Sequence, residues 1–407
     1  MLYVTLIILA VTILGCLFHR DFKSPKFIFS AIWFIIIFLY SLRLYGIYDV
    51  GTNTRVVIFL GCISFLSGTT IMEHIVIHPS PTLYSNVKTF RLSYIFVFLI
   101  LSSLYFYVPN LMSFFKGTSI NALKMMLVTG ERDLGGFWMQ YVIRPFTYII
   151  IGTSTYYFIK DKSKKVIISC GLILTCFEFF GTGSKTIVLY FAMCLLFTLL
   201  NNRHKIMITG KKRVILISAA LILFLLFFMG ISSVYFYACG CIPLLDKVIN
   251  DDFYMPYGYT YGFVSFNSCV RFLIKFLLLF GINVKSNLLE CADSYIGRFE
   301  YTTQVSPEGG FNAFHTFMGD FYVDFGIVGV IILSLLFGMA CMYVYKIYSE
   351  TDSLWGHVFY CLSLYYLFFS AVRFQMSNTF LGIMVIYTVL ILKFIFYANI
   401  YAGRIEL

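Results

Sequence analysis

The chain reads as an all-α, polytopic integral membrane protein. About 11 transmembrane helices are expected, with one large external loop between the eighth and ninth. Three observations predict this class. Sixty per cent of the residues are hydrophobic and only twelve per cent charged, where soluble domains carry about 25 per cent charge. Apolar runs of roughly bilayer length, about 17–25 residues, recur along the whole chain. Short basic loops fall at intervals that one topology satisfies.

The spans are expected at 1–18, 27–44, 55–73, 92–111, 137–159, 165–181, 184–201, 213–233, 321–345, 354–372 and 379–401. Residues 1–407 form one transmembrane domain, with the loop 234–320 inside it; no stretch is long and polar enough for a separate soluble domain. Residues 1–18 lack the basic leader of a signal peptide, so a retained first span is expected. Ile13–Cys16 only faintly resembles a lipoprotein cleavage box. The apolar segment 260–282 carries Arg271 and Lys275 at its middle. Two cations at mid-bilayer are costly, so this segment is expected to be re-entrant or interfacial.

The basic loops 19–26, 160–165 and 201–213 follow the first, fifth and seventh spans. Positive-inside sorting puts them in the cytoplasm, the N-terminus outside and the C-terminus inside. The net charge of +11 is then largely an orientation signal, and no nucleic-acid partner is needed to explain it. Of the eleven cysteines, Cys239, Cys241, Cys269 and Cys291 fall in the external loop, where oxidation is permitted. A disulfide within Cys239, Cys241 and Cys291 is a candidate. Cys-x-Cys without paired histidines is a poor zinc pattern, and no metal is expected.

Gly181-Thr-Gly-Ser-Lys185 superficially resembles a phosphate loop. It lacks Gly directly before Lys and a preceding strand. It is read as a tight external turn that starts a helix, with backbone N–H groups able to meet an anion.

Arg43, Arg55, Arg144, Lys185, Arg271, Arg298 and Arg373 all fall on the expected external face. Positive-inside sorting should deplete that face of cations. Each has a bland reading as a snorkelling side chain or a structural ion pair, and Glu178 with Lys185 is one such expected pair. Their shared sidedness points to an anionic ligand at the membrane boundary. Arginine suits that role, because its planar fork bonds phosphate oxygens in pairs and stays charged. Arg55, Arg144, Lys185, Arg271, Arg298 and Arg373 are therefore the candidate diphosphate and glycan contacts.

The stretch from Asn312 to Asp324 places a histidine and two aspartates at the entrance of the ninth span. His315, Asp320 and Asp324 are the candidate catalytic residues, because a histidine beside a carboxylate can take a hydroxyl proton near neutral pH. The alternative is an interfacial His315 bonded to its loop, Asp320 as the helix cap, and Asp324 with a partner of its own.

In order and placement these motifs resemble the bacterial O-antigen and capsule repeat-unit polymerases. The resemblance rests on Leu44–Asp49 after the second span, Gly61 and Gly68 in the third, Gly181–Lys185, and Phe317–Gly329 after the large loop. Lys185 stands where such proteins more often carry arginine, which weakens bidentate binding there. Arg298 and Gly309 match an arginine–glycine spacing described for some members, a match that chance also supplies. The resemblance implies a glycosyltransferase of the bacterial inner membrane with a periplasmic active face. It would move a growing glycan from one polyprenyl (undecaprenyl) diphosphate to the next lipid-linked repeat unit, in lipopolysaccharide or capsule synthesis. A flippase and a chain-length regulator of the same pathway are the implied partners, beside membrane lipid. An O-antigen ligase-like transferase and a lipid-linked oligosaccharide flippase are the alternatives. A flippase should lack the long external loop.

Overall fold

The computed structural model describes residues 1–77, 89–118, 122, 136–160, 165–183, 185–201, 231–251, 258–298, 302–307, 309–312, 315–351, 353–378 and 381–390. Its elements are α1 (Leu2–Phe18), α2 (Pro25–Ser41), α3 (Thr52–His74), α4 (Thr89–Phe115), α5 (Arg144–Lys160), α6 (Lys165–Thr182), α7 (Lys185–Asn201), α8 (Ile231–Cys239), α9 (Cys241–Asn250), α10 (Asn267–Leu279) and α11 (Asn287–Arg298). A two-stranded antiparallel hairpin, β1 (Thr302–Gln304) and β2 (Gly310–Asn312), pairs Thr303 with Phe311. Then come α12 (Thr316–Thr351), α13 (Leu354–Phe368) and α14 (Leu381–Leu390). Among the described residues, α3, α4, α6 and α12 are long and apolar enough to cross a membrane, and five shorter helices are apolar. The chain is thus mostly helical and compatible with an all-α membrane protein. Most of the expected span at 213–233, and residues 391–401 of the last, lie outside the described residues.

The chain divides into two compact units. The first comprises residues 1–78, 229–347 and 363–382. Here α2 starts where the sequence says it should: Ser24 accepts from the Phe27 amide at 3.3 Å and Pro25 takes the first helical position. The ends of four helices gather on one face. Tyr345 of α12 bonds Asp21 at 2.5 Å, Lys26 pairs with Glu73, and the Lys346 ammonium reaches the Met72, Glu73 and Ile75 carbonyls that close α3. At the opposite ends of α2 and α3 the polar segment packs down. Asp246 of α9 accepts from Gly51 N at 2.7 Å and Thr54 Oγ1 at 2.6 Å, and Tyr48 N donates to Val305 O at 2.9 Å. The expected external loop therefore sits on the connection expected to share its side, and it is built of helices and a hairpin. The core between them is aromatic: Phe29 stacks on Phe65 at 3.8 Å, and Phe317 meets Trp33 and Phe337 edge-on or tilted at 5.8 and 5.7 Å. Gly68 lies against the Leu335 backbone and Gly338 against the Phe65 backbone, where any Cβ would overlap a carbonyl. Small residues allow this close helix approach.

The ninth expected span begins earlier than its hydropathy implies. Helix α12 starts at Thr316, so Asp320 and Asp324 lie inside it, and Asp320 is not its cap. The helix breaks at Phe325 and Gly326, where Gly326 has φ 64°. Carbonyls that the break frees, on Val323 and Asp324, accept from Thr260 N and Tyr261 N at 3.1 Å each. The segment 260–282 forms α10, 13 residues or about 20 Å long, shorter than the roughly 30 Å hydrocarbon layer. Leu279 and Phe280 at its end are exposed.

The second unit comprises residues 79–228, 348–362 and 383–407. A π-helical turn, Met139–Ile143, leads into α5, a distortion that often marks functional sites in helical proteins. Two buried polar clusters sit at different levels of this unit. Tyr107, Arg144 and Glu178 meet where α5 begins and α6 ends. Nearer the other ends of α5 and α7, Nε2 of His357 lies 3.3 Å from Thr155 Oγ1, 3.2 Å from Thr198 Oγ1 and 3.3 Å from Cys361 Sγ. This satisfied histidine pins three helices together.

Candidate functional site

His315 and Asp320 come together at the start of α12. Thr316 opens the helix with φ 71°, and its hydroxyl accepts from Gly319 N at 3.3 Å. That turn brings His315 Nε2 onto Asp320 Oδ1. The other oxygen, Oδ2, accepts from the Phe374 amide at 2.8 Å. Asp320 is thereby a staple between α12 and the turn 369–374. Phe317 N donates to Ser370 O at 2.8 Å, Trp33 Nε1 donates to Ser370 Oγ at 3.1 Å, and Gln375 Nε2 donates to Phe369 O and Arg373 O. Phe321 lies 4.8 Å from Phe374 and Tyr295 stands edge-on to His315 at 4.9 Å.

Arg373 rides on this fixed turn. It is half-buried, and among the described residues its guanidinium has no carboxylate partner. Burial pushes the His315 pKa down; Asp320 opposes the shift and Arg373 adds to it, and the net direction is downward. His315 is therefore neutral at pH 7, and with Nε2–H donated to Asp320 its basic nitrogen would be Nδ1. That atom is buried, as is the side chain, at 2 % exposure. In this conformation no solvent-borne hydroxyl reaches the ring. The pair ties the start of α12 to the turn 369–374.

Asp324 occupies a different place. One turn after Asp320, it is fully buried and faces the segment 260–265. Its Oδ1 accepts from Thr260 Oγ1 at 2.5 Å, Gly262 N at 2.8 Å and Val264 N at 3.1 Å; its Oδ2 accepts from Ser265 N at 2.7 Å. The expected group of one histidine and two aspartates thus separates into a staple and a clamp. Asp324 holds the segment that satisfies the helix break.

Carboxylates already take most of the candidate cations. Arg55 pairs with Asp49 at 3.0 Å, as does Arg43 at 2.8 Å. Arg144 pairs with Glu178 through Nε at 2.9 Å and Nη2 at 2.8 Å, while Tyr107 Oη donates to the other Glu178 oxygen. This corrects the expected Glu178–Lys185 pair. Glu178 is 1 % exposed and faces Tyr107 of α4 and Arg144 of α5, whereas Lys185 starts α7 exposed to the surroundings. Arg271 pairs with Asp293 of α11. The side chain of Arg298 and residues 252–257 lie outside the described residues. The turn expected around Gly183 is present, with φ 67° and an amide bonded to Phe179 O at 2.9 Å.

Cys239, Cys241 and Cys291 are separate thiols, which corrects the disulfide reading. Cys239 and Cys241 point into packed helix contacts, and burial pushes Cys239 up to about 12. Among the described residues no group of three His, Cys, Asp or Glu side chains is placed to hold a metal ion.

Asp246, Asp49 and Tyr107 were not singled out from sequence as partners. Asp246 and Tyr107 lie far along the chain from the groups they hold, so only their contacts identify them, whereas Asp49 sits in the same connection as Arg43 and Arg55. No family model, curated protein sequence or solved structure matches this chain.

Proposed function

We propose that the protein is a membrane glycosyltransferase that polymerises polyprenyl-diphosphate-linked oligosaccharide repeat units on the external face of the bacterial inner membrane. The reading includes about 11 spans, an external N-terminus, and cytoplasmic loops at 160–165 and 201–213. A flippase and a chain-length regulator supply its substrate and set its product length.

One observation carries the reading furthest. Arg373 is held on a rigid turn at the entrance of a broken helix, and no carboxylate among the described residues takes its fork of donors. A leaving diphosphate needs this kind of charge-assisted, bidentate contact. In the transfer, the acceptor hydroxyl oxygen bonds to the anomeric carbon as the bond from that carbon to the diphosphate oxygen breaks. Arg373 stabilises the departing charge. The His315–Asp320 pair positions Arg373 through the Phe374 amide, and Asp324 keeps the helix break in shape. The departing diphosphate is itself a base for the hydroxyl proton, so the reaction does not require His315 to take it.

The test is reconstitution of the purified protein with a lipid-linked repeat unit as sole substrate. A ladder of polymer on polyprenyl diphosphate is expected. Transfer only to a lipid-core acceptor would replace polymerase with ligase. Movement of the substrate across the bilayer without bond formation would overturn the transferase reading.

A further inference from the structure

The turn that carries Arg373 is held at two points. At the first, the Phe374 amide donates to Asp320 Oδ2 at 2.8 Å. At the second, Ser377 O accepts from Asn267 Nδ2 at 3.2 Å. Between them Gln375–Ser377 makes a turn of 3₁₀ helix, with Ser377 N donating to Phe374 O at 2.8 Å and Asn378 N to Gln375 O at 3.2 Å. The backbone that presents Arg373 is therefore gripped from α12 on one side and from α10 on the other.

Asn267 opens α10 and is buried, at 5 % exposure. Its neighbour Phe266 meets Phe374 edge-on at 6.3 Å. The residues before it are fixed by Asp324, which accepts from Val264 N and Ser265 N. What remains to be set is the orientation of the Asn267 amide. Flipped, it would press one carbonyl oxygen against another at Ser377. Arg271, one helical turn on, decides the matter: its Nε donates to Asn267 Oδ1 at 3.4 Å. A guanidinium N–H can only donate, so Oδ1 faces Arg271 and Nδ2 faces Ser377. Arg271 is held in turn, through Nη2, by Asp293 of α11. These contacts form one continuous relay from α11 to the turn, and all of it lies within the first unit.

The sequence offers Arg271 as a diphosphate contact, yet its fork is divided between Asn267 and Asp293. We propose that Arg271 and Asn267 are positioning residues, which act on the departing diphosphate only through the turn that holds Arg373. The catalytic consequence rests on the transferase reading; the coupling between α10 and the turn does not. A displacement of about 1 Å in a group that meets the reacting atoms is enough to cost about a hundredfold in rate, so a loosened turn is felt in turnover without any loss of a substrate contact.

The experiment is a double-mutant cycle on the full-length protein in nanodiscs, with Arg271→Ala, Asn267→Leu and the two combined. Arg271 is partly exposed, so its variant should fold, and it decides the proposal alone if the buried Asn267→Leu does not. With a purified lipid-linked repeat unit, Arg271→Ala should lower kcat about tenfold and Asn267→Leu up to about a hundredfold, with KM little changed in both. The double variant should be no worse than Asn267→Leu, because both changes cut the same relay. In an Arg373→Ala background, Arg271→Ala should cost nothing further. A raised KM in Arg271→Ala, losses that add in full, or a further loss without Arg373 would make Arg271 a direct contact and overturn the proposal. Hydrogen exchange at the Ser377 and Asn378 amides supplies a readout that needs no turnover. It should quicken in both single variants, and unchanged exchange in Arg271→Ala would overturn the relay. Wild type that exchanges as expected but makes no polymer would end the transferase reading and leave the relay standing.

Discussion

In the second unit Arg144 spends its fork on Glu178, and Tyr107 takes that carboxylate's other oxygen. In the first unit Arg373 lies near Asp320, but His315 and the Phe374 amide already occupy that carboxylate. Both arginines were expected at outer helix ends, and both looked alike as candidate anion contacts. Their surroundings separate them. One carboxylate consumes its arginine; the other fixes the backbone that carries the arginine and, among the described residues, leaves the donor fork without a carboxylate. A cation at a membrane boundary therefore carries information about ligands only once its carboxylate neighbours are assigned.

This comparison breaks most sharply at Arg144. Arg144→Ala leaves Glu178 buried with its charge uncompensated, and losing one partner of such a pair costs about 3–5 kcal/mol. The midpoint of unfolding in detergent should fall accordingly. An unchanged midpoint would remove the structural assignment of that pair. Asp324→Ala should come next, at about 3 kcal/mol, because it strands several buried donors. Hydrogen exchange should rise first at 260–265; exchange confined elsewhere would contradict the clamp. Asp320→Asn should cost about 1–2 kcal/mol, since one hydrogen bond becomes unfavourable while the side chain's shape is kept. Arg373→Ala should change stability by under about 1 kcal/mol. A loss as large as that of Arg144→Ala would make the two arginines equivalent.

The smallest effect concerns pH. Burial, the largest cause, holds the folded-state pKa of His315 below the ordinary histidine value of about 6.5. The unfolded chain then binds the proton more readily than the folded one. Stability from this group is complete above about 6.5 and declines as pH falls below it. The difference in unfolding midpoint between wild type and His315→Gln should shrink as pH drops from about 7.5 to 5. A growing difference would mean that His315 is held protonated.

The class of protein was legible because composition and apolar run length report directly on the solvent a helix faces. The helices at 2–18, 25–41, 52–74, 165–182 and 185–201 fall within a few residues of the expected spans. The fold of the polar segment was not legible. Its hairpin and helices α9, α10 and α11 owe their places to distant partners such as Gly51, Tyr48 and Asp324, which leave no periodic trace. The start of α12 was missed because hydropathy weighs Asp320 as solvent-exposed, while His315 and Phe374 satisfy it inside the protein. The same long-range partners explain why the sequence grouped Asp320 with Asp324, although one turn of helix points them at different neighbours. Glu178 was paired with Lys185 on proximity in the chain; Arg144, 34 residues away, wins because it shares the buried layer.

The central claim is that Arg373 supplies the contact to the departing diphosphate. The direct measurement is kcat/KM for polymerisation of a purified lipid-linked repeat unit by wild type, Arg373→Lys and Arg373→Ala, each verified as folded. Arg373→Ala should lose about two to three orders of magnitude, the usual cost of removing a donor aimed at developing charge. Arg373→Lys should recover only part, because an ammonium cannot reproduce a bidentate fork. Turnover within a few-fold of wild type in Arg373→Ala would contradict the account.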